Sequence, residues 1–231
     1  MLSGFASDPT GTLTLLLLSL PGVILAITVH ESAHGWMAYL LGDDTAKTSG
    51  RISMNPLRHV DLFGLVILLF FRVGWAKPVV VNVRKFKKPR RDVVLTSLAG
   101  PVSNLILAFF LLLGAVAFSV AYSANYMKFG DTAFSTVLLV LTDLFGYAAV
   151  TNLGLGVFNL IPFPPLDGWK VITSFLPMKI YFAIMRYKRY CMIALMVLLV
   201  TGILSGPIDL GINALYGIYY KAAVGIMSLF V

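Results

Sequence analysis

The residues with the clearest chemistry are two histidines four positions apart, with a glutamate beside the first. In His30-Glu31-Ser32-Ala33-His34 this spacing places both imidazoles on one face of a helix, where they can bind one divalent metal ion. Glu31 can then accept a proton from a water bound to that metal. The pattern is typical of a metal-dependent hydrolase, and we predict one Zn²⁺ per chain as its cofactor.

The position of this motif within an apolar stretch strengthens the prediction. The ionisable groups interrupt the apolar run from Thr12 to Leu41. Each such group in a membrane-spanning helix costs on the order of 2–3 kcal/mol, so three of them within five residues need a shared partner. A divalent cation is the natural one. A chance match, with the histidines hydrogen-bonded inside a helix bundle, remains the alternative interpretation.

A catalytic zinc site needs a third protein ligand and an open position for water. Asp167 is the preferred candidate, because Pro164 and Pro165 fix the backbone before it and Gly168 allows a sharp turn after it. The alternative is that Asp167 binds no metal and only caps the helix that follows it. Two other candidates are weaker: Asp143 lies towards the other end of its span, and His59 lies in a polar connector.

Composition predicts a chain dissolved in lipid. Apolar residues make up 58% of the chain, charged residues only 12%, and the mean hydropathy is +0.88. Eleven of the eighteen Lys and Arg residues lie between Lys47 and Arg91. In so apolar a chain, this basic run favours a cytoplasmic loop at anionic lipid headgroups over a nucleic-acid site. The predicted partners therefore include the lipid bilayer and exclude nucleic acid.

The apolar stretches predict an all-α polytopic membrane protein in one domain, residues 1–231. Three stretches are long enough to span the bilayer: Thr12–Leu41, Val93–Tyr122 and Ala133–Leu160. With the loops between them they form a three-helix catalytic core, about residues 12–175. Two further apolar segments, Cys191–Leu204 and Ile208–Val231, form a C-terminal membrane part, about residues 190–231.

A shorter apolar run lies between the first two spans. Leu62–Phe71 has only ten residues, half of what a spanning helix needs, so we predict a re-entrant or interfacial element. The following segment, Gly74 to Asn82, contains Gly, Pro and three consecutive Val residues, which favour an extended or β conformation.

The distribution of basic residues predicts the orientation. Loops 42–92 and 161–189 carry most Lys and Arg and should face the cytoplasm, whereas loop 123–132 carries only Lys128 and should face outward. His30 lies 18 residues, or about 27 Å, beyond Thr12 and so near the cytoplasmic end of its helix. Asp167 follows the cytoplasmic end of the third span. The two groups should therefore lie at similar depth.

Three motifs in this order resemble the site-2 protease family of intramembrane metalloproteases. They are H-E-x-x-H at His30, A-G-P-x-x-N at Ala99 to Asn104, and the segment from Asn159 to Gly168. The resemblance runs from about residue 20 to 175. The segments Gly42 to Lys47, Gly50 to Leu57 and Gly74 to Asn82 resemble the small bacterial and archaeal branch, which lacks PDZ and nucleotide-sensing domains.

This resemblance implies a zinc endopeptidase of the prokaryotic inner membrane that cleaves helices of membrane proteins. It implies zinc ligation by His30, His34 and Asp167. Asn159 would polarise the scissile carbonyl or hold substrate, although an Asn that satisfies backbone groups at a helix end is also possible. Asn104 would support helix packing near the metal.

The segment from Gly74 to Asn82 also carries a substrate-binding hypothesis. A spanning helix hides its peptide bonds, so hydrolysis requires local unwinding, and an extended segment could pair with the unwound strand. The residues assigned to this role are Gly74, Lys77, Pro78, Val79, Val80 and Asn82. An interfacial loop anchored by Trp75 and Lys77 is the alternative.

Two other functions remain open from the sequence. A divalent-metal transporter could also place His and Asp within the membrane, but such proteins commonly show internal repeats, and the metal-binding pattern occurs once here. A catalytically silent homologue that binds membrane segments is the second. The presence of every expected catalytic group favours the enzyme over both.

Overall fold

The computed structural model describes residues 7–61, 63–64, 76–176 and 186–230. Helices dominate this part of the chain, and three of them are long and apolar enough to cross a membrane. The α-helices are α1 (Pro9–Leu40), α2 (Thr45–Thr48), α3 (Pro89–Phe129), α4 (Ala133–Asn159), α5 (Asp167–Thr173), α6 (Lys188–Val200) and α7 (Ser205–Met227). The predicted helical class and the three spanning segments are therefore confirmed.

Helix α3 is longer at both ends than the predicted span. It begins at Pro89, whose missing N–H costs nothing in the first turn of a helix, and ends before Gly130, which adopts φ 72°. Its 41 residues extend about 60 Å, twice the hydrocarbon thickness of a bilayer. Hydropathy marks where a helix leaves lipid, whereas the cap residues mark where the helix ends.

Local sequence also sets the limits of α1. The Asp8 side chain accepts a hydrogen bond from the Gly11 N–H at 2.9 Å and so caps the amino terminus. Gly42, at φ 104°, reverses the chain just beyond the other end. Both histidines of the metal motif are thereby placed in the last third of this helix.

The core lies where α1, α3 and α4 pack together. Five buried residues form its centre: Leu111, Leu112, Ala115, Ala148 and Ala149. A Cβ added at Gly22 of α1 would lie 2.7 Å from the Ala148 Cα of α4, so the two helices approach through a residue without a side chain. Large apolar side chains such as Leu17, Phe110 and Val137 are exposed on the outer faces, as expected in lipid.

The C-terminal part contains the two further apolar segments that the sequence predicts. Helices α6 and α7 meet at a bend of 73°, so together they form either one broken span or a re-entrant pair. Helix α7 packs against α3 and α4. Its residues Tyr216 and Tyr219 contact the core described above.

The segment between α1 and α3 contains no sheet in its described residues. An isolated antiparallel bridge joins Val60 to Ala76, and residues 77–82 belong to no strand. Of the predicted re-entrant run Leu62–Phe71, the structure describes only Phe63 and Gly64. Gly74, a predicted substrate-binding residue, also lies outside the described residues. Asn82 itself has an extended backbone, with φ −100° and ψ 94°.

Candidate metal centre

Three metal-binding atoms converge between α1 and the start of α5. The Nε2 atoms of His30 and His34 and the Oδ2 atom of Asp167 form a triangle with sides of 3.1 Å, and all three residues are buried. Four-coordinate zinc, with bonds of about 2.0–2.2 Å, places its ligand atoms roughly 3.3 Å apart. The donor set and its spacing therefore fit zinc.

The hydrogen bonds of the two Nδ1 atoms determine whether a proton or a lone pair on each Nε2 faces the centre of the triangle. His30 Nδ1 lies 2.8 Å from Asn104 Oδ1, and His34 Nδ1 lies 2.7 Å from the Thr96 carbonyl oxygen. Because both partners are acceptors, both Nδ1 atoms carry the proton, and each Nε2 of a neutral imidazole then presents a lone pair. Two lone pairs and a carboxylate oxygen facing one point repel each other unless a cation lies between them.

The second oxygen of Asp167 is bound to a residue that the sequence analysis missed. Lys170 Nζ donates to Asp167 Oδ1 at 2.8 Å, one helical turn away. Burial raises the pKa of the Asp167 carboxyl, and the nearby Lys170 charge lowers it. The ion pair with Lys170 favours the carboxylate form, which a zinc ligand must have.

Two glycines allow the surrounding backbone to reach the site. A Cβ added at Gly100 of α3 would lie 2.5 Å from His34 Nε2, so α3 packs its bare backbone against the imidazoles. A Cβ at Gly168 would lie 2.2 Å from the Leu160 carbonyl oxygen, because the loop that carries Asp167 folds back onto the end of α4. The Pro164–Pro165 peptide bond in this loop is cis.

Gly100→Ala is expected to lower zinc affinity about tenfold or more, in line with the about 1–3 kcal/mol that overpacking costs. The added methyl group must displace an imidazole or push α3 away. Gly146→Ala is the matched control, since apart from the adjacent backbone of its own helix no described atom lies within 4 Å of its added Cβ. Competition with a chelator measures both affinities. Equal values in the two variants would show that Gly100 does not restrict the site.

Comparison with known proteins agrees with this geometry. The sequence profile of Peptidase family M50 matches residues 19–202, most of the chain. The chain belongs to Peptidase family M50. It is 44% identical over 182 residues, 78% of each chain, to "Putative zinc metalloprotease YwhC" of Bacillus subtilis (strain 168). It is 29% identical over 201 residues, 85% of this chain and 72% of the relative, to "Putative zinc metalloprotease Rip2" of Mycolicibacterium smegmatis.

No solved structure matches this M50 peptidase. The family match and the relatives confirm the predicted resemblance and the predicted activity, that of a zinc metalloprotease. Zinc is its cofactor, and His30, His34 and Asp167 are the described residues that can hold it. With three long apolar helices, this M50 peptidase is a multi-pass membrane protein.

Glu31 lies beside the metal-binding residues but is not one of the converging donors. It is half-buried, and its Oε2 atom accepts a hydrogen bond from the backbone N–H of Val79 at 2.9 Å. The peptidase therefore joins its candidate general base to the segment that the sequence assigns to substrate binding. Neither the motif nor its spacing predicts this contact.

Two further backbone contacts hold that segment against the connector that follows α1. The Lys77 N–H donates to the His59 carbonyl at 2.8 Å, and the Asn82 N–H donates to Asp43 Oδ2 at 2.6 Å. Both His59 and Asp43 are completely buried. His59 Nε2 lies 2.8 Å from the Ser53 carbonyl, so this histidine organises the connector and is not among the converging donors.

Two predicted candidates are not among the three converging donors. Asn159 Nδ2 donates to the Leu155 carbonyl of its own helix at 3.0 Å, which is the backbone role named as its alternative. Asp143, the weaker ligand candidate, is exposed and lines a separate cavity of about 700 Å³ between α3, α4 and α7. The structure therefore brings Asp167, and not Asp143, to the histidines.

Proposed function

We propose that this peptidase hydrolyses segments of membrane proteins at membrane depth. In this proposal His30, His34 and Asp167 hold the zinc ion and Glu31 is the general base. The observation that supports it is the buried convergence of three metal-binding atoms inside a bundle of helices long enough to span a bilayer. A hydrolytic site at that depth selects peptide bonds that lie at the same depth.

The protein groups divide the chemistry between them. Zinc at a three-ligand site lowers the pKa of a bound water to about 7 and polarises a carbonyl group. Glu31 accepts a proton from the attacking water and delivers it to the nitrogen of the leaving amine as the C–N bond breaks. Lys170 holds the outer oxygen of Asp167, which leaves Oδ2 facing the histidines.

Asn159 is proposed as a donor to the developing oxyanion, as the family resemblance implies. In the present conformation its amide is bound to the Leu155 carbonyl. The role therefore requires the side chain to rotate away from its own helix when substrate binds.

The stretch Lys77 to Asn82 is proposed to bind the unwound substrate strand. The N–H groups of Lys77 and Val79 both bond towards the protein, and alternate residues of an extended chain face opposite sides. We infer that the Val80 N–H faces outward, since it has no partner among the described residues and Val80 is 65% exposed. Its N–H and carbonyl, together with the Pro78 carbonyl, offer an edge for substrate pairing.

Val80→Pro is expected to lower the cleavage rate about tenfold and to leave zinc content unchanged. Proline removes the outward N–H but keeps an extended backbone, so one ladder hydrogen bond to substrate is lost. Val80→Ala is the matched control, because it shortens the side chain and keeps the N–H. Equal rates in the two variants would contradict pairing at this position.

The cytoplasmic side of a prokaryotic cell membrane is the proposed location of the site, on the basis of the basic loops. The test of function uses the purified peptidase in liposomes with a labelled single-span protein. We expect cleavage near the cytoplasmic end of the substrate span and no zinc accumulation inside the vesicles. Zinc uptake without cleavage would support the transporter instead, and zinc binding with neither would support the silent homologue.

A further inference from the structure

A fully buried asparagine connects α4 to the metal site. Asn152 lies in the second half of α4 and is 0% exposed. Its Nδ2 donates to the Ala148 carbonyl one turn earlier, at 2.8 Å, and its Oδ1 accepts from Asn104 Nδ2, also at 2.8 Å. Asn104 Oδ1 in turn meets His30 Nδ1 at 2.8 Å. A chain of three side chains therefore runs from α4 through α3 to a metal-binding imidazole.

Backbone carbonyls at two points fix the direction of this chain. Asn104 Nδ2 donates both to Asn152 Oδ1 and to the Ala26 carbonyl of α1, the latter at 3.1 Å. The carbonyls of Ala26 and Ala148 can only accept, so neither amide can be turned over without setting two acceptors against each other. The Asn104 oxygen therefore accepts the hydrogen bond from the His30 Nδ1–H group.

We propose that Asn152 is a positioning residue for the zinc site. It holds the Asn104 amide in the one orientation that keeps the His30 proton on Nδ1. His30 Nε2 is then free to present its lone pair to zinc. This inference rests on the proposed role of His30 as a ligand.

The two histidines differ in this respect. His34 Nδ1 bonds to the Thr96 backbone carbonyl, whose direction is set by helix α3 itself. His30 bonds to a side-chain amide, which could rotate, and Asn152 is the side chain that holds this amide, together with the Ala26 carbonyl. Loss of Asn152 should therefore disturb His30 and leave His34 in place. Outer groups of this kind typically change metal affinity by about 10–100-fold.

The first experiment measures zinc affinity by chelator competition in detergent. We expect about 10–100-fold weaker binding in Asn152→Leu, which keeps the shape but has no acceptor for Asn104. Asn152→Asp is expected to restore binding, because a protonated carboxyl can offer its carbonyl to Asn104 and its O–H to Ala148. Thr151→Val is the matched control, since the Thr151 hydroxyl bonds only to Tyr147 of its own helix and should not affect zinc.

A double-mutant cycle separates positioning from packing. If Asn152 acts through Asn104, Asn152→Leu should change zinc affinity less than about twofold once Asn104→Leu is present. The Co²⁺-substituted Asn152→Leu protein should also show an altered ligand-field spectrum. If the leucine variant does not fold, Asn152→Ser keeps the Ala148 bond, cannot reach Asn104, and should weaken zinc binding in the same way.

Additive effects in the cycle, or a folded Asn152→Leu or Asn152→Ser protein with wild-type zinc affinity, would overturn the inference. His30→Ala distinguishes this failure from failure of the proposed function. If His30→Ala also retains zinc, His30 is not a ligand and the metal site itself is wrongly assigned. If only His30→Ala loses zinc, the ligand assignment stands and the positioning role of Asn152 fails.

Discussion

Replacing Glu31 with Gln is expected to lower the rate of peptide hydrolysis by about 10²–10⁴-fold and to leave one zinc ion bound per chain. The amide cannot accept the proton of the attacking water. Its oxygen can still accept the hydrogen bond from Val79 N–H, so the segment beside it should stay in place. Cleavage of a single-span substrate and metal analysis of the same sample measure the two effects together.

The control for this variant is Asp44→Asn, which removes another carboxylate from the same part of the chain. Asp44 is exposed, pairs with Lys85 at the surface and is not among the three converging donors. It should keep both zinc and wild-type turnover. If Glu31→Gln cleaves as fast as Asp44→Asn, the general base is a different group.

The convergence of His30, His34 and Asp167 was predictable because its constraints are local or tied to membrane depth. His30 and His34 lie on one helix, so their spacing alone fixes their relation. Asp167 is 133 residues beyond His34. Both residues nevertheless lie near the ends of spanning helices, and those ends are on the same side of the bundle. The predicted agreement in depth corresponds to the observed 3.1 Å contact.

The supporting contacts could not be predicted, because they depend on how helices rotate against each other. Nothing in the sequence separates Asn152 from the other polar residues of α4 until α4 is packed against α3 and the Asn152 amide meets Asn104. The role of Lys170 needs the turn that points Asp167 Oδ1 away from the histidines. Thr96 contributes only a backbone carbonyl, which no sequence motif marks.

The extended segment shows the same difference between local and long-range constraints. Its Pro and consecutive Val residues predicted an extended course, and the described part does not form a sheet. Its position comes from side chains elsewhere in the sequence: Glu31 holds the Val79 N–H and Asp43 holds the Asn82 N–H. These contacts give the segment a fixed place beside the candidate general base.

Asp167→Ala is expected to reduce zinc affinity by more than the about 10–100-fold that an outer residue costs, because it removes one of the three proposed direct ligands. It also leaves Lys170 without its partner. Asp143→Ala is the matched control, since it removes an acid from the apolar part of α4 but away from the metal donors. Zinc content after dialysis should fall in the first variant and stay at one per chain in the second.

X-ray absorption spectroscopy at the zinc edge tests the convergence of the three donors most directly. For the purified wild-type protein we predict four nitrogen or oxygen ligands at about 2.0–2.2 Å, two of them with the outer-shell scattering of imidazole, and no sulfur. A spectrum with a sulfur ligand, or with a single imidazole or none, would contradict the site built from His30, His34 and Asp167.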